Sequence, residues 1–443
     1  MTVRPLRPVP KRKKLRLNKK IAIPLFVLIF LVGYIAVSMF IESRREPVVL
    51  KTICDFSHEE SRALFKDKEF EHILEMNDYF VYGETLSLFN QTYDMFNRDL
   101  FVGKTLILVN LCDDSERVYM IEANVDGQIP MEDLPNGFYE VYVMYNLQRH
   151  RLFTNGHLED FFFTMNRQDQ TKQVRLIGDA FLLEQDAEQD QTFDRHYLFL
   201  EVTPTQLPED VYDIIIDPGH QSFDNNWLDL GVRANDMIEA NENYKMALAL
   251  KREFEKYGLR VLLTRDQDET VNTYDIDGRL HRGYESQARY YIEVQMVGSN
   301  NPNVYGTQIV YSSYASPRLA SAVFRQLIEN TRLQSTGVSG AGNIPGVVPS
   351  ARASGFDGRM VIREAGGKAL TAATFSYKAT SENGSFALDN RRGMQALTIE
   401  YIYLTHPASA EYWALEYEQY AEQTVKGFMN YFRLEMVDTD HAD

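Results

Sequence analysis

Three side chains in this sequence have the types and placement to do chemistry: His220, Glu239 and Glu400. Ile214-Ile215-Ile216-Asp217-Pro218-Gly219-His220 reads as a β-branched strand ending in a tight turn that presents a histidine. Nineteen residues later, Glu239 stands at the start of a long helical pattern. Near the C-terminus, Ala396-Leu397-Thr398-Ile399 reads as a second apolar strand that ends on Glu400. One imidazole and two carboxylates at strand and helix ends are the parts of a hydrolytic metal site.

The elements that must position these groups follow an α/β pattern. The buried strand 214–216 precedes a helix over about 241–257, which Gly258 ends, and the next strand covers 259–263. Strand, helix, strand is a parallel crossover unit. A helix over 278–290, strands at 291–294 and 307–311, and a helix over 317–330 continue it. The stretch 331–391 is rich in Gly, Ser and Ala and reads as an insertion: a lid, a partner surface or a variable loop. Within it, 360–363 and 370–375 flank Gly366-Gly367 as a β-ribbon.

Upstream, about 77–205 reads as an all-β, sandwich-like module. Period-two alternation runs through 79–88 and 103–111, Asn136-Gly137 turns the chain into an aromatic strand over 136–143, and 195–202 closes the series. The prolines at 204 and 208 mark a boundary before an α/β domain over 209–436. Residues 42–76 read as a stalk, with a helix start at Ser57-His58-Glu59-Glu60.

A chain of 443 residues, 44% hydrophobic with 26 Phe and 26 Tyr, holds two or three domains with real cores, which excludes a disordered protein. Residues 21–40 carry no charge and are long enough to cross a bilayer as a helix. No small-residue cleavage site follows, so 21–41 reads as an uncleaved anchor. The tail 1–20 is basic and free of acids, which places it in the cytoplasm and everything after about Glu42 outside the cell membrane. Beyond residue 46 the chain has 35 basic and 61 acidic side chains, a balance that excludes nucleic acid as a partner. Cys54 and Cys112 both fall outside, where a disulfide is permitted; a bridge and two independent thiols remain open.

The span 212–434 resembles the zinc-dependent N-acetylmuramoyl-L-alanine amidases of bacterial cell walls. The shared motifs are Asp217–His220, Asp224, Glu239 with Asn243, Leu263-Thr264-Arg265 with Asp268, Arg279, and the late Glu400. The resemblance implies an amidase-like, mixed or mainly parallel sheet with flanking helices. It implies zinc held by His220 and Glu239, with Glu400 as general base. The bond cut would be the amide between the lactyl group of muramic acid and the first alanine of a peptidoglycan stem peptide. The family's third ligand, a histidine, aligns on Gln295, whose amide is a poorer zinc donor than imidazole. Bound zinc is therefore expected to be weak or absent, and His406 is a candidate substitute. Gln221 and Ser222 stand where the family has glycines, and Ile402, in place of a small residue, is expected to crowd the cleft. Two functions follow: a membrane-anchored amidase, or an impaired relative that binds peptidoglycan or regulates other wall hydrolases. The β module is a candidate surface for envelope partners.

Overall fold

The structure is a computed structural model, and it describes residues 24, 27–35, 37, 52–57, 60, 70–91, 99–154, 158–168, 170–178, 196–224, 226–275, 277–338, 344–353, 356–363 and 393–436. The β-rich region comprises two sheets on one core. The larger orders its strands Glu116–Met120, Thr105–Asn110, Gly137–Tyr145, Gln148–Thr154, His196–Thr205, Thr171–Gly178 and Glu159–Phe163, with Ile73–Glu75 added parallel to Gln148–Thr154. The smaller joins Asp78–Tyr82, Thr85–Phe89 and Ile129–Pro130. Val81, Leu86 and Leu88 of the small sheet pack against Leu106, Val141, Leu176 and Leu200 of the large one. The run 79–88, expected as one strand, is a hairpin. Gly83 takes φ +59, and Tyr82 pairs with Thr85 across the turn.

Parts of the expected stalk are built into this region. Ile53, Cys54 and Phe56 pack on Phe138, Ile177 and Phe199, and Cys54 is disulfide-bonded to Cys112. The helix start at Ser57 is a reciprocal capping box. The Ser57 N–H donates to Glu60 Oε2 at 2.7 Å, and the Glu60 N–H donates to Ser57 Oγ at 3.2 Å. Of the apolar run 21–41, residues 27–35 are helical and those with large side chains are exposed. Among the described residues no helix is long and apolar enough to cross a membrane.

The C-terminal domain is a six-stranded sheet in the order Val261–Leu263, Ile214–Pro218, Tyr290–Val297, Gln395–Tyr403, Gln308–Tyr311, Val347–Pro349. All pairings are parallel except Gln308–Tyr311 against Gln395–Tyr403. The three isoleucines at its centre show why this strand is buried on both faces. Ile214 and Ile216 point into a core shared with the helices Glu239–Glu255, Arg318–Asn330 and Pro407–Phe432. Ile215 points the other way, toward Leu280, Val361 and Ile362. Pro407–Phe432 was not among the expected elements. Its buried Trp413, Tyr420, Ala421, Val425, Phe428 and Phe432 fall at helical spacing, and it packs along the two other helices of that face.

Two expectations are corrected. Met360–Ile362 is a turn of helix instead of a ribbon strand, because Val361 and Ile362 are drawn together into the core. Its expected partner, 370–375, lies outside the described residues. The strand carrying Glu400 continues to Tyr403, so Glu400 sits inside it instead of at its end.

The two regions touch through polar contacts. The Asp126 carboxylate accepts from Ser316 N at 2.8 Å and Ser316 Oγ at 2.7 Å, and Asp213 accepts from Asn166 N at 2.7 Å.

Candidate active site

The strand Ile214–Pro218 delivers His220 at its carboxyl end, the edge where open α/β sheets hold ligands. His220 and Gln221 both take left-handed backbone angles, φ +66 and +58, which side chains adopt at a cost. Buried arginines brace that turn. Arg279 donates to the carbonyls of Pro218 at 3.0 Å and His220 at 2.7 Å, and Arg265 Nε donates to Pro218 O at 3.0 Å. Asp217 binds Thr264 Oγ1 at 2.6 Å and lies 3.3 Å from Arg279 Nε. The shared motif residues Asp217, Thr264, Arg265 and Arg279 therefore hold the His220 turn in shape.

Glu239 opens its helix and is 1% exposed. Its Oε2 accepts from Val232 N at 2.8 Å, and Oε1 from Met296 N at 3.0 Å. Oε1 also lies 3.1 Å from His220 Nε2. Gly231, at φ +70, must be glycine: a Cβ there would fall 2.5 Å from Glu239 Oε2 and 2.8 Å from His220 Cδ2.

Behind the imidazole stands Asp229, whose Oδ2 is 2.8 Å from His220 Nδ1. Sequence reasoning missed this residue. A carboxylate on the second ring nitrogen fixes the orientation of a ligating histidine and leaves Nε2 facing the site. Burial works against charge on His220, but its hydrogen bonds and charge interactions with Glu239 and Asp229 outweigh that and raise its pKa to about 9.

Gln295 lies beside the His220 turn. A Cβ on Gly219 would meet its Nε2 at 2.3 Å. The carboxamide Nε2 donates to Glu293 Oε1 at 2.8 Å. Glu293 also accepts from Thr398 Oγ1 at 2.6 Å. Glu400 is in register with Gln295 on the adjoining strand and is 7% exposed. One of its oxygens is 2.6 Å from Arg359 Nη2, and the other accepts from the Gln308 carboxamide. Arg359 Nε is also 3.8 Å from Glu293. This arginine comes from the insertion, where no sequence signal marked it.

The remaining candidates fall elsewhere. His406 caps the helix Pro407–Phe432: its Nδ1 accepts from Ser409 N at 3.2 Å, and its ring stacks on Tyr305 with centroids 5.3 Å apart. That role accounts for its ring nitrogen without a metal. His281 pairs with Glu285 at 3.6 Å on its own helix. Ile402 does not crowd the cleft. A register shift opposite Met296 turns it into the helix-facing core, where it is 2% exposed.

His220 Nε2 and Glu239 Oε1 converge, with an outer carboxylate behind the imidazole, and these two donors fit a metal ion. Gln295 donates through its Nε2 to Glu293, and its carboxamide oxygen is a poorer zinc donor than imidazole. Among the described residues, no group of three or more His, Cys, Asp or Glu side chains is placed to hold a metal. A catalytic zinc site ordinarily uses three protein donors, so this set is one short.

A histidine and carboxylates gathered at the carboxyl edge of a mainly parallel sheet define an α/β domain of the hydrolase type. Residues 214–430 match the N-acetylmuramoyl-L-alanine amidase family. Among curated protein sequences, no relative matches the chain. Solved structures similar to it include the N-acetylmuramoyl-L-alanine amidase AmiC2 of Nostoc punctiforme, at 20% identity, covering 51% of this chain and 98% of that one, with a TM-score of 0.35. The catalytic domain of the amidase CwlV from Bacillus (Paenibacillus) polymyxa var. colistinus is 18% identical, with 51% and 100% covered and a TM-score of 0.36. The amidase Ami1 from Mycobacterium smegmatis is 15% identical, with 50% and 97% covered and a TM-score of 0.35.

Proposed function

We propose that this protein is an extracytoplasmic, membrane-anchored amidase of peptidoglycan, acting on the amide between the lactyl group of muramic acid and the first alanine of the stem peptide. The observation that carries the reading is the convergence of His220 and Glu239, with Asp229 behind the imidazole and buried Glu400 on the neighbouring strand. His220 and Glu239 would hold the zinc ion, weakly for want of a third donor. When bound, such an ion acidifies a water and polarises a carbonyl. Asp229 keeps the His220 ring oriented. Glu400 takes a proton from the attacking water and passes it to the leaving amine. It can do so only after Arg359 has let go of the oxygen it holds. The basic tail and the uncharged run 21–40 support the anchor and its orientation.

A second reading has its own support. Gln295 turned to Glu293, and Arg359 paired with Glu400, favour a domain that binds stem peptides without cutting them, or that regulates another hydrolase. Metal analysis of the purified protein, joined to digestion of purified cell walls, separates the two. One equivalent of zinc with release of alanine amino termini supports the amidase, whereas stem-peptide binding with neither supports the second reading. Protease added to intact protoplasts should remove the bulk of the chain; a protected C-terminus would overturn the envelope placement.

A further inference from the structure

The hairpin that carries Asp229 has a second feature. Ser222–Asp224 and Trp227–Asp229 pair antiparallel, with Ser222 opposite Asp229, Phe223 opposite Leu228, and Asp224 opposite Trp227. Trp227 is 80% exposed, while the chain's other tryptophan, Trp413, is fully buried. Phe223 and Leu228 are exposed on the opposite face of the hairpin. A large bare aromatic surface is costly in water, and beside a site it offers a ligand a flat apolar face. Its direction is set by the pleat: side chains two apart on a strand share a face. Trp227 therefore lies on the same face as Asp229, whose carboxylate holds His220. The backbone of Trp227 lies about 7 Å along the strand from that of Asp229, which orients the imidazole.

We infer that Trp227 is a glycan-binding, specificity-determining residue that stacks on the sugar ring bearing the lactyl group. The inference rests on the amidase reading of the site. With the lactyl–alanine amide at His220 and Glu239, the pyranose ring is a short ether link away, and Trp227 is an exposed aromatic on the hairpin face that carries Asp229. The apolar C–H face of a pyranose suits a flat indole whose rim is wet. The hairpin thus selects muramyl-linked peptides over free ones, while the bond to be cut is held elsewhere.

Because Trp413 is shielded from solvent, a ligand-dependent change in the tryptophan emission of the full chain reports on Trp227. The probes are a disaccharide–stem-peptide fragment and the same stem peptide without sugar. The sugar-bearing fragment should shift the emission and bind at least about 10-fold tighter than the free peptide. Trp227→Ala should abolish that advantage and leave free-peptide binding unchanged, and Trp227→Phe should keep part of it. Circular dichroism and thermal unfolding of both variants check that the fold is retained. Equal affinity for the two probes in the wild type, or an advantage that survives Trp227→Ala, overturns the glycan role while the peptidoglycan reading stands. Binding of neither probe overturns that reading and the glycan role with it.

Discussion

Replacing Gln295 by histidine should tighten zinc binding by about 30-fold. The position already touches the His220 turn, since a Cβ on Gly219 would lie 2.3 Å from Gln295 Nε2. It stands in register beside Glu400, on the strand whose Met296 N–H bonds Glu239. An imidazole there would raise the protein donors from two to three. Structural zinc sites with four donors bind with about 10–16 kcal/mol, so one donor contributes about 3 kcal/mol. The substitution gives up the 2.8 Å hydrogen bond to Glu293, a loss of about 1 kcal/mol. Glu293 keeps Thr398 as a donor. The remainder, about 2 kcal/mol, corresponds to about 30-fold in Kd. Competition against a chromogenic chelator at fixed pH measures it directly in wild type and Gln295→His. A Kd within threefold of wild type would refute the argument, since it would mean that the 295 side chain does not reach the ion or that another donor already completes the set. Tighter zinc without any gain in wall digestion would instead assign the block to the Arg359–Glu400 pair.

Three further outcomes are expected. Glu400→Gln should keep fold and zinc content but lower wall digestion by about 100-fold or more; undiminished turnover would remove Glu400 from the chemistry. Glu132, raised from 4.5 to about 7 by burial and then by the negative charge of Glu84, stabilises the fold fully below its ordinary value and loses that contribution as pH rises through about 7. Glu132→Gln should therefore flatten the fall in Tm between pH 4.5 and 7, and an unchanged slope would contradict the assignment. Cys54 and Cys112 close a loop with a sequence separation of 58, so replacing both by serine should cost about 4 kcal/mol of stability, read by denaturant unfolding; a loss under about 1 kcal/mol would show that the bridge does not constrain the unfolded chain.

Much of the C-terminal domain could be read from local pattern. Ile214–Ile216 needed two apolar faces, which only a buried strand between packed layers provides. Glu239 before an amphipathic run could only be a helix start. The apolar run 291–294 marked the strand Tyr290–Val297 on which Gln295 lies. Elsewhere local pattern misled. The alternation through 79–88 survives a hairpin unchanged, so Gly83 alone carried the information that the chain turns back. In 360–363, β-branched and apolar residues suit a strand or one turn of helix equally, and contact with Ile215 and Leu280 decided for the helix.

What the sequence by itself determined is the chemical inventory: a histidine after a strand, a carboxylate opening a helix, a second carboxylate in a late apolar strand, and a glutamine on the strand beside it. Those facts rest on spacing along the chain, which local structure converts directly into position. Only the tertiary structure decided who pairs with whom. It set Asp229 behind His220, turned Gln295 to Glu293, sent Ile402 into the core through a register shift, and brought Arg359 across 41 residues of sequence onto Glu400. These contacts join segments far apart in the chain, and their geometry depends on how sheet, helices and insertion pack, which no local pattern encodes.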